Sequence, residues 1–110
     1  MYAFNYSRAE TGRKAVNLIS KNEDAKFLAG GQTLLPTMKQ RLASPGALID
    51  LSGAADLKGI EMKGRNLVIG AMTRHFDVAT SELVKEKIPA LADLAGMIGD
   101  PAVRNRGTMG

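Results

Sequence analysis

Two neighbouring glycines, Gly30 and Gly31, form the part of this sequence best suited to binding an anion. They follow a short apolar run and precede a helix-like stretch that begins near Thr33. Glycine lets the backbone turn with positive φ and approach a ligand closely, because it carries no Cβ. The first N–H groups of a helix lack intrahelical acceptors and lie at the positive end of the helix dipole. Residues 29–35 therefore predict a loop that cradles phosphate, such as a dinucleotide pyrophosphate.

A second candidate loop, RNRGTMG, occupies residues 104–110 and places glycines around Thr108. Each loop alone is a weak signal, because a double glycine is often only a tight connection between a strand and a helix. The sequence contains neither the G-x-G-x-x-G pattern nor the lysine–serine pair of a phosphate-binding P-loop. The residues by themselves thus leave open whether these are ligand loops or plain connections.

Several kinds of site are excluded by residue content. The chain has no cysteine, which excludes disulfides, thiolate nucleophiles, thiolate zinc sites and cysteine-held iron–sulfur clusters within it. The single histidine, His75, cannot form a His-rich metal site, and we interpret it as a packing or capping residue. Asp50 and Asp77 stand in different segments, so they do not indicate a catalytic carboxylate pair. We predict no metal ligands in this chain.

The composition is that of one ordinary folded domain, with 110 residues of which 45% are hydrophobic and 24% charged. The net charge of +4 is scattered, and two tyrosines, three phenylalanines and no tryptophan do not favour nucleic-acid binding. No apolar run approaches the roughly 20 residues of a membrane span, and the N-terminus lacks the pattern of a signal peptide. We predict no transmembrane segment and a cytoplasmic location.

The elements that would hold the first loop alternate between strand and helix. Residues 4–6 predict a strand, and Ser7 with Glu10 matches a capping box that starts a helix. The apolar face of that helix carries Gly12, Ala15, Val16 and Ile19. Residues 25–28 predict a buried strand that leads into the glycine pair, and residues 47–51 predict another strand after a turn.

Between those two strands, Thr33 is a predicted N-cap and Pro36 lies in the first helical turn. The core-facing stripe of this helix comprises Leu34, Leu35, Met38 and Leu42. Residues 1–53 therefore predict a small β-α-β-α-β unit with some parallel pairing.

The second half has a different pattern. Ile60 and Met62 alternate with polar residues, and a turn at residues 63–66 leads into a strand, which predicts an antiparallel hairpin. Two helices should follow, around residues 76–87 and 90–98, with Pro89 as the break between them. The chain is predicted to be α+β, with a boundary that separates residues 1–53 from 54–110.

Four segments together resemble the motifs of the FAD-binding medium subunit of molybdenum hydroxylases, of the aerobic carbon monoxide dehydrogenase and xanthine dehydrogenase type. They are AGGQTLLPTMKQRLA, LIDL, IGAMT and IGDPAVRNRGTMG, in that order, and the resemblance covers essentially the whole chain. It implies the N-terminal part of an FAD-binding fold of the vanillyl-alcohol-oxidase or p-cresol-methylhydroxylase type. In that fold a small β/α subdomain packs against a subdomain with an antiparallel sheet, and FAD lies between them.

The same resemblance implies which residues contact the cofactor. The two loops would hold the pyrophosphate from two sides, with the hydroxyls of Thr33 and Thr108 as added donors, and Thr73 would be a further flavin neighbour. The implied FAD-binding residues are Ala29, Gly30, Gly31, Gln32, Thr33, Leu34, Thr73, Gly107, Thr108 and Gly110. Because the flavin itself carries out the redox chemistry, no catalytic side chain is expected.

The resemblance also implies partners. A large subunit would oxidise the substrate at a molybdenum cofactor, a small subunit would carry [2Fe–2S] clusters, and FAD would pass electrons to an external acceptor within a hetero-oligomer. Family subunits are much longer, so we expect this chain to be an N-terminal fragment that is inactive and binds FAD weakly or not at all by itself.

Two alternatives stay open on the sequence. One is a non-catalytic nucleotide-binding or assembly fragment of the same fold. The other is an FAD enzyme of this fold outside the family, such as the cell-wall precursor reductase class. The substrate and the final electron acceptor are not encoded in this chain.

Overall fold

The computed structural model describes residues 3–110, and its internal contacts divide the chain into two compact units between Ala55 and Asp56. Each unit contains one small sheet and at least two helices. The predicted mixture of helices with small sheets is confirmed at this level. The assignment of residues 1–53 and 54–110 to two FAD-binding subdomains stays a prediction.

Three short parallel strands form the sheet of the first unit. They are β1 (Asn5–Arg8), β2 (Ala25–Leu28) and β3 (Ala47–Asp50), with β3 in the centre of the order β1-β3-β2. Helix α1 (Gly12–Ser20) connects β1 to β2, and helix α2 (Leu34–Lys39) connects β2 to β3. The predicted β-α-β-α-β order and its parallel pairing are confirmed.

Helix α1 packs on the sheet through Ala15, which forms a small core with Ala9 and Ile49. The predicted apolar face is wrong in one position, because Val16 is 59% exposed. The predicted capping box is also wrong, since Ser7 belongs to β1. Thr11 caps the helix instead, and its hydroxyl accepts a hydrogen bond from the amide of Lys14 at 3.1 Å.

Helix α2 is shorter than the predicted stripe. It buries Met38 but ends at Lys39, so Leu42 lies outside the helix and is 76% exposed. The helix closes when the amide of Leu42 bonds to the carbonyl of Thr37 at 3.0 Å. The prediction that β2 is buried is also incorrect, because β2 is an edge strand and Phe27 is 41% exposed.

The second unit begins near a 3₁₀ turn at Ala55–Leu57 and continues into an antiparallel hairpin. Strands β4 (Ile60–Lys63) and β5 (Asn66–Ile69) form this hairpin, as predicted. The tight turn contains Gly64 with φ +61, a left-handed conformation that favours glycine.

Four short helices follow the hairpin: α3 (His75–Thr80), α4 (Glu82–Lys87), α5 (Pro89–Gly96) and α6 (Pro101–Arg106). Pro89 begins α5, as expected of the predicted break. The single helix predicted over residues 76–87 is two helices, because Ser81 is extended and its hydroxyl accepts from the amide of Val84. The core of this unit is formed by Val78, Val84, Ala92 and Ala95.

Helix α6 differs from the sequence prediction, which places residues 104–106 in a loop. Asp100 caps it by accepting a hydrogen bond from the amide of Ala102 at 2.8 Å, and Pro101 occupies the first position. Across the described residues 3–110, no helix is long and apolar enough to cross a membrane.

Candidate functional site

The first loop, residues 29–34, leaves the carboxyl end of β2 and enters α2. Its base is fixed to the sheet, because the amide of Leu51 donates to the carbonyl of Leu28 at 2.9 Å. Gly31 has φ +85, and a Cβ at that position would lie 2.7 Å from Leu35 Cδ1. The positive φ favours glycine there, as side chains rarely adopt this conformation.

Unused hydrogen-bond donors distinguish this loop. The carbonyl of Gly31 accepts from the amide of Leu35 at 3.0 Å and so begins the helix. Within residues 3–110, the backbone N–H groups of residues 31–34 donate to no protein acceptor. Thr33 occupies the predicted N-cap position, but its hydroxyl makes no capping bond and its side chain is exposed. The loop therefore presents several donors that water or an anion can satisfy.

The second loop, residues 107–110, uses most of its donors inside the protein. It runs antiparallel to residues 71–75 and forms a bridge between Arg74 and Thr108. The amide of Met109 donates to Thr73 at 3.0 Å, and the amide of Gly110 donates to Ala71 at 2.8 Å. Over the part of the chain that the structure describes, Thr108 carries the one amide N–H of this loop without a protein acceptor.

The glycines of the second loop allow close packing rather than an unusual turn. A Cβ at Gly110 would lie 2.7 Å from the Cβ of Ala71. At Gly107 it would lie 3.0 Å from the carbonyl oxygen of Val103 and 3.1 Å from the ring of His75. The backbone reaches these neighbours only because no side chain intervenes. The prediction that His75 is a packing or capping residue fits its place beside Gly107 at the start of α3.

Thr73 lies in the loop between β5 and α3 and is only 4% exposed. Its hydroxyl accepts from the amide of Gly59 at 2.9 Å and donates to the carbonyl of Gly59 at 3.1 Å. It also lines a cavity of about 440 Å³, whose other walls are Lys58, Gly59, Ile60, Met72, Arg74 and Asp77. No local sequence pattern indicates the link to Gly59, since the two residues are 14 positions apart.

Asp50 forms a polar junction at the edge of the sheet from which the first loop leaves. One carboxylate oxygen accepts from the hydroxyl of Tyr6 and the other from the amide of Ser52 at 2.9 Å. Burial raises the pKa of Asp50, but the bonds from Tyr6 and Ser52, with the charge of Arg8, outweigh it and lower that pKa. The bond to Asp50 raises the pKa of Tyr6. Sequence reasoning missed this junction, because it joins two strands.

The predicted site residues thus fall into two groups. Residues 29–34 lie together in the first unit, whereas Thr73, Gly107, Thr108 and Gly110 lie together in the second. Arg104 lies outside both groups. Its guanidinium donates to the carbonyl of Ile98, just after α5. Among residues 3–110, no group of three or more acidic or histidine side chains could hold a metal ion.

Known proteins similar to this chain agree on one family. The family model described as the FAD binding domain in molybdopterin dehydrogenase matches residues 2–110. The carbon monoxide dehydrogenase medium chain of Hydrogenophaga pseudoflava is 46% identical over 108 residues, which are 97% of this chain and 38% of that protein. The medium chain of Afipia carboxidovorans is 42% identical over 109 residues, which are 98% of this chain and 38% of that protein.

The fold agrees with a solved structure as well. The carbon monoxide dehydrogenase of Hydrogenophaga pseudoflava that lacks the Mo-pyranopterin moiety matches with a TM-score of 0.86 and 45% identity. The match covers 97% of this chain and 38% of the solved chain. This chain therefore spans well under half the length of the relatives that it matches.

Proposed function

This chain belongs to the family of FAD-binding domains in molybdopterin dehydrogenases, and from that premise we propose that it binds FAD in an electron-transfer subunit of a molybdenum hydroxylase. When bound, FAD supplies redox chemistry that links the iron–sulfur clusters of a partner subunit to an external electron acceptor. The observation that carries the proposal is the set of unused backbone donors in residues 31–34, within a family named for FAD binding.

The first loop suits the pyrophosphate of FAD for a physical reason. A pyrophosphate carries negative charge that must be satisfied by many donors when it leaves water. Backbone N–H groups exposed beside glycine supply those donors without long side chains, and hydrogen bonds to a charged acceptor are strong. We assign this role to Ala29, Gly30, Gly31, Gln32, Thr33 and Leu34, with the unbonded hydroxyl of Thr33 as an added donor.

The second loop offers fewer groups to the cofactor. Thr108 keeps a backbone N–H and a hydroxyl, although the hydroxyl lies 3.3 Å from the carbonyl of Gly110. Gly107 and Gly110 would permit close approach of the backbone. Thr73 would be a flavin neighbour on the wall of its cavity. These four residues are the proposed contacts of the second unit.

The proposal extends to the fold and to the partners. We assign the two units to the FAD-binding fold of the vanillyl-alcohol-oxidase or p-cresol-methylhydroxylase type. The partners would be a large subunit with the molybdenum cofactor and a small subunit with [2Fe–2S] clusters, in a cytoplasmic hetero-oligomer. The absence of cysteine is consistent with clusters on another chain. The substrate would be chosen by the molybdenum subunit.

The test is flavin reduction in the complete complex. The complete protein should be purified with its partner subunits, its flavin content measured, and the flavin absorbance followed after the substrate of the molybdenum subunit is added. We expect bound FAD that bleaches on reduction. A protein that holds FAD but is not reduced by the partners would contradict the electron-transfer role, and one without FAD would support an assembly role.

A further inference from the structure

Thr73 is the one buried polar side chain among residues 3–110, and all of its polar groups are in use. Its amide donates to the carbonyl of Gly70 at 3.0 Å, and its carbonyl accepts from the amide of Met109 at 3.0 Å. Its hydroxyl binds both the amide and the carbonyl of Gly59, at 2.9 and 3.1 Å. Thr73 thus connects three separate segments of the second unit.

Residues 57–59 are held to the loop after β5 by backbone hydrogen bonds as well. Gly59 has φ +129, and its carbonyl accepts from the amide of Gly70 at 2.9 Å. The carbonyl of Leu57 accepts from the amide of Met72 at 2.8 Å. The two backbones lie so close that a Cβ at Gly70 would overlap Leu57. Loss of the Thr73 hydroxyl would leave the amide of Gly59 without its acceptor, and the carbonyl of Gly59 would keep only the bond from the amide of Gly70.

The second loop is attached to the same residue from the other side. The bonds from Met109 to Thr73 and from Gly110 to Ala71 hold the loop beside residues 71–73. Thr108 lies opposite Arg74, between the bond from the amide of His75 to the carbonyl of Gly107 and the bond from Met109 to Thr73, and carries the loop's unused amide N–H. The direction of that N–H therefore depends on where the backbone of Thr73 is held.

We propose that Thr73 is a positioning residue: its hydroxyl fixes residues 71–73 on Gly59, and this places Thr108 of the second loop for the cofactor. The inference rests on the proposed FAD function. The only hydrogen of the Thr73 hydroxyl is donated to the carbonyl of Gly59, so the hydroxyl has no hydrogen left to donate to flavin. Thr73 acts on the cofactor through the loop.

The test compares Thr73→Val with Thr73→Ser in the complete protein. Valine keeps the shape of threonine without the hydroxyl, and serine keeps the hydroxyl. Thr80→Val is the matched control, because the Thr80 hydroxyl donates only to Phe76 within its own helix at 2.9 Å. Amide hydrogen exchange is measured without FAD, and FAD affinity and the visible flavin spectrum are measured separately.

We expect Thr73→Val to speed exchange at Gly59 and Met109 by about tenfold or more, to weaken FAD binding by about tenfold, and to shift the spectrum of bound flavin. Thr73→Ser should restore all three, and Thr80→Val should change none. Unchanged exchange at Met109, or faster exchange with normal FAD affinity and spectrum, would overturn the positioning role. Failure of the unsubstituted protein to bind FAD would overturn the proposed function, whereas the exchange comparison needs no cofactor.

Discussion

The two glycine-containing loops look alike in sequence but use their backbones in opposite ways. In the first loop, Gly31 adopts φ +85 and the following amides are left without protein acceptors. In the second, the amides of Gly107, Met109 and Gly110 all donate to protein carbonyls. Glycine therefore creates a donor surface at one loop and a tight backbone contact at the other. A glycine-rich pattern alone does not distinguish these two uses.

This difference suggests that the two loops contribute unequally to cofactor binding. The first loop would supply most of the hydrogen bonds to the pyrophosphate, whereas the second would supply few bonds from a rigid position. Substitutions in the first loop should then act through lost conformation and lost donors. Substitutions in the second should act through the backbone contacts that hold Thr108 in place. Three experiments test this contrast, in order of decreasing expected effect.

The largest effect is expected from Gly31→Val in the complete protein. A β-branched residue at positive φ costs about 1–3 kcal/mol, and its Cβ would also meet Leu35. The loop should leave its conformation, and FAD affinity should fall by about a hundredfold in a fluorescence titration. Gly64→Val is the control, since Gly64 also has positive φ but has open space around it. Equal loss of FAD affinity in both variants would contradict the special role of the first loop.

A smaller effect is expected from Gly110→Ala. The added Cβ would lie 2.7 Å from that of Ala71 and should push the second loop from residues 71–73. Because the second loop offers few donors to the cofactor, FAD affinity should fall by only about tenfold in the same titration. Gly99→Ala is the control, as nothing lies within 4 Å of a Cβ there. A loss as large as that of Gly31→Val would show that the loops contribute equally.

The smallest effect concerns pH and the support of the first loop. The lowered pKa of Asp50 means that its carboxylate contributes stability above the ordinary pKa of 3.8, and this contribution is lost as the pH falls through the folded-state pKa. In Tyr6→Phe, the carboxyl pKa should rise, because burial then acts against fewer hydrogen bonds. An NMR titration of the Asp50 carboxyl measures this shift, and Arg8→Gln should raise the pKa less.

Amide hydrogen exchange measured over the same pH range distinguishes the two loops. The amide of Leu51, next to Asp50, should lose protection from hydrogen exchange in acid, since it ties the sheet to the base of the first loop. The amide of Met109 should lose less, because the bonds that hold the second loop involve backbone groups and a threonine hydroxyl. If both amides lost protection together, acid would be acting on the whole chain and not on the junction at Asp50.

Most of the fold could be predicted from local patterns. The parallel unit and the hairpin follow from short apolar runs separated by turn residues, and both are present. One error arose where two local signals competed. Ser7 and Glu10 match a capping box, but pairing of Ser7 beside Ile49 keeps it in a strand and Thr11 caps the helix. Helix α6 had its own signal in Asp100 and Pro101, which begin it.

The candidate site was less predictable than the fold. The sequence predicts a turn at Gly31 and a helix N-cap at Thr33, because positive φ and capping are local preferences. It does not show that the hydroxyl of Thr73 is bound to Gly59, nor that the hydroxyl of Tyr6 donates to Asp50 on the neighbouring strand. Such bonds join residues far apart in the chain, and no local pattern encodes them.

Residue types alone show where the backbone can turn and which chemistry is excluded. The glycines permit a tight turn after β2, and the lack of cysteine removes iron–sulfur ligands from the chain. Only the tertiary structure decided which glycine loop keeps its donors free. The second loop pairs with residues 71–75, about 35 positions earlier, and this pairing uses the amides of Met109 and Gly110. A backbone donor is available to a ligand only if no distant carbonyl has already satisfied it.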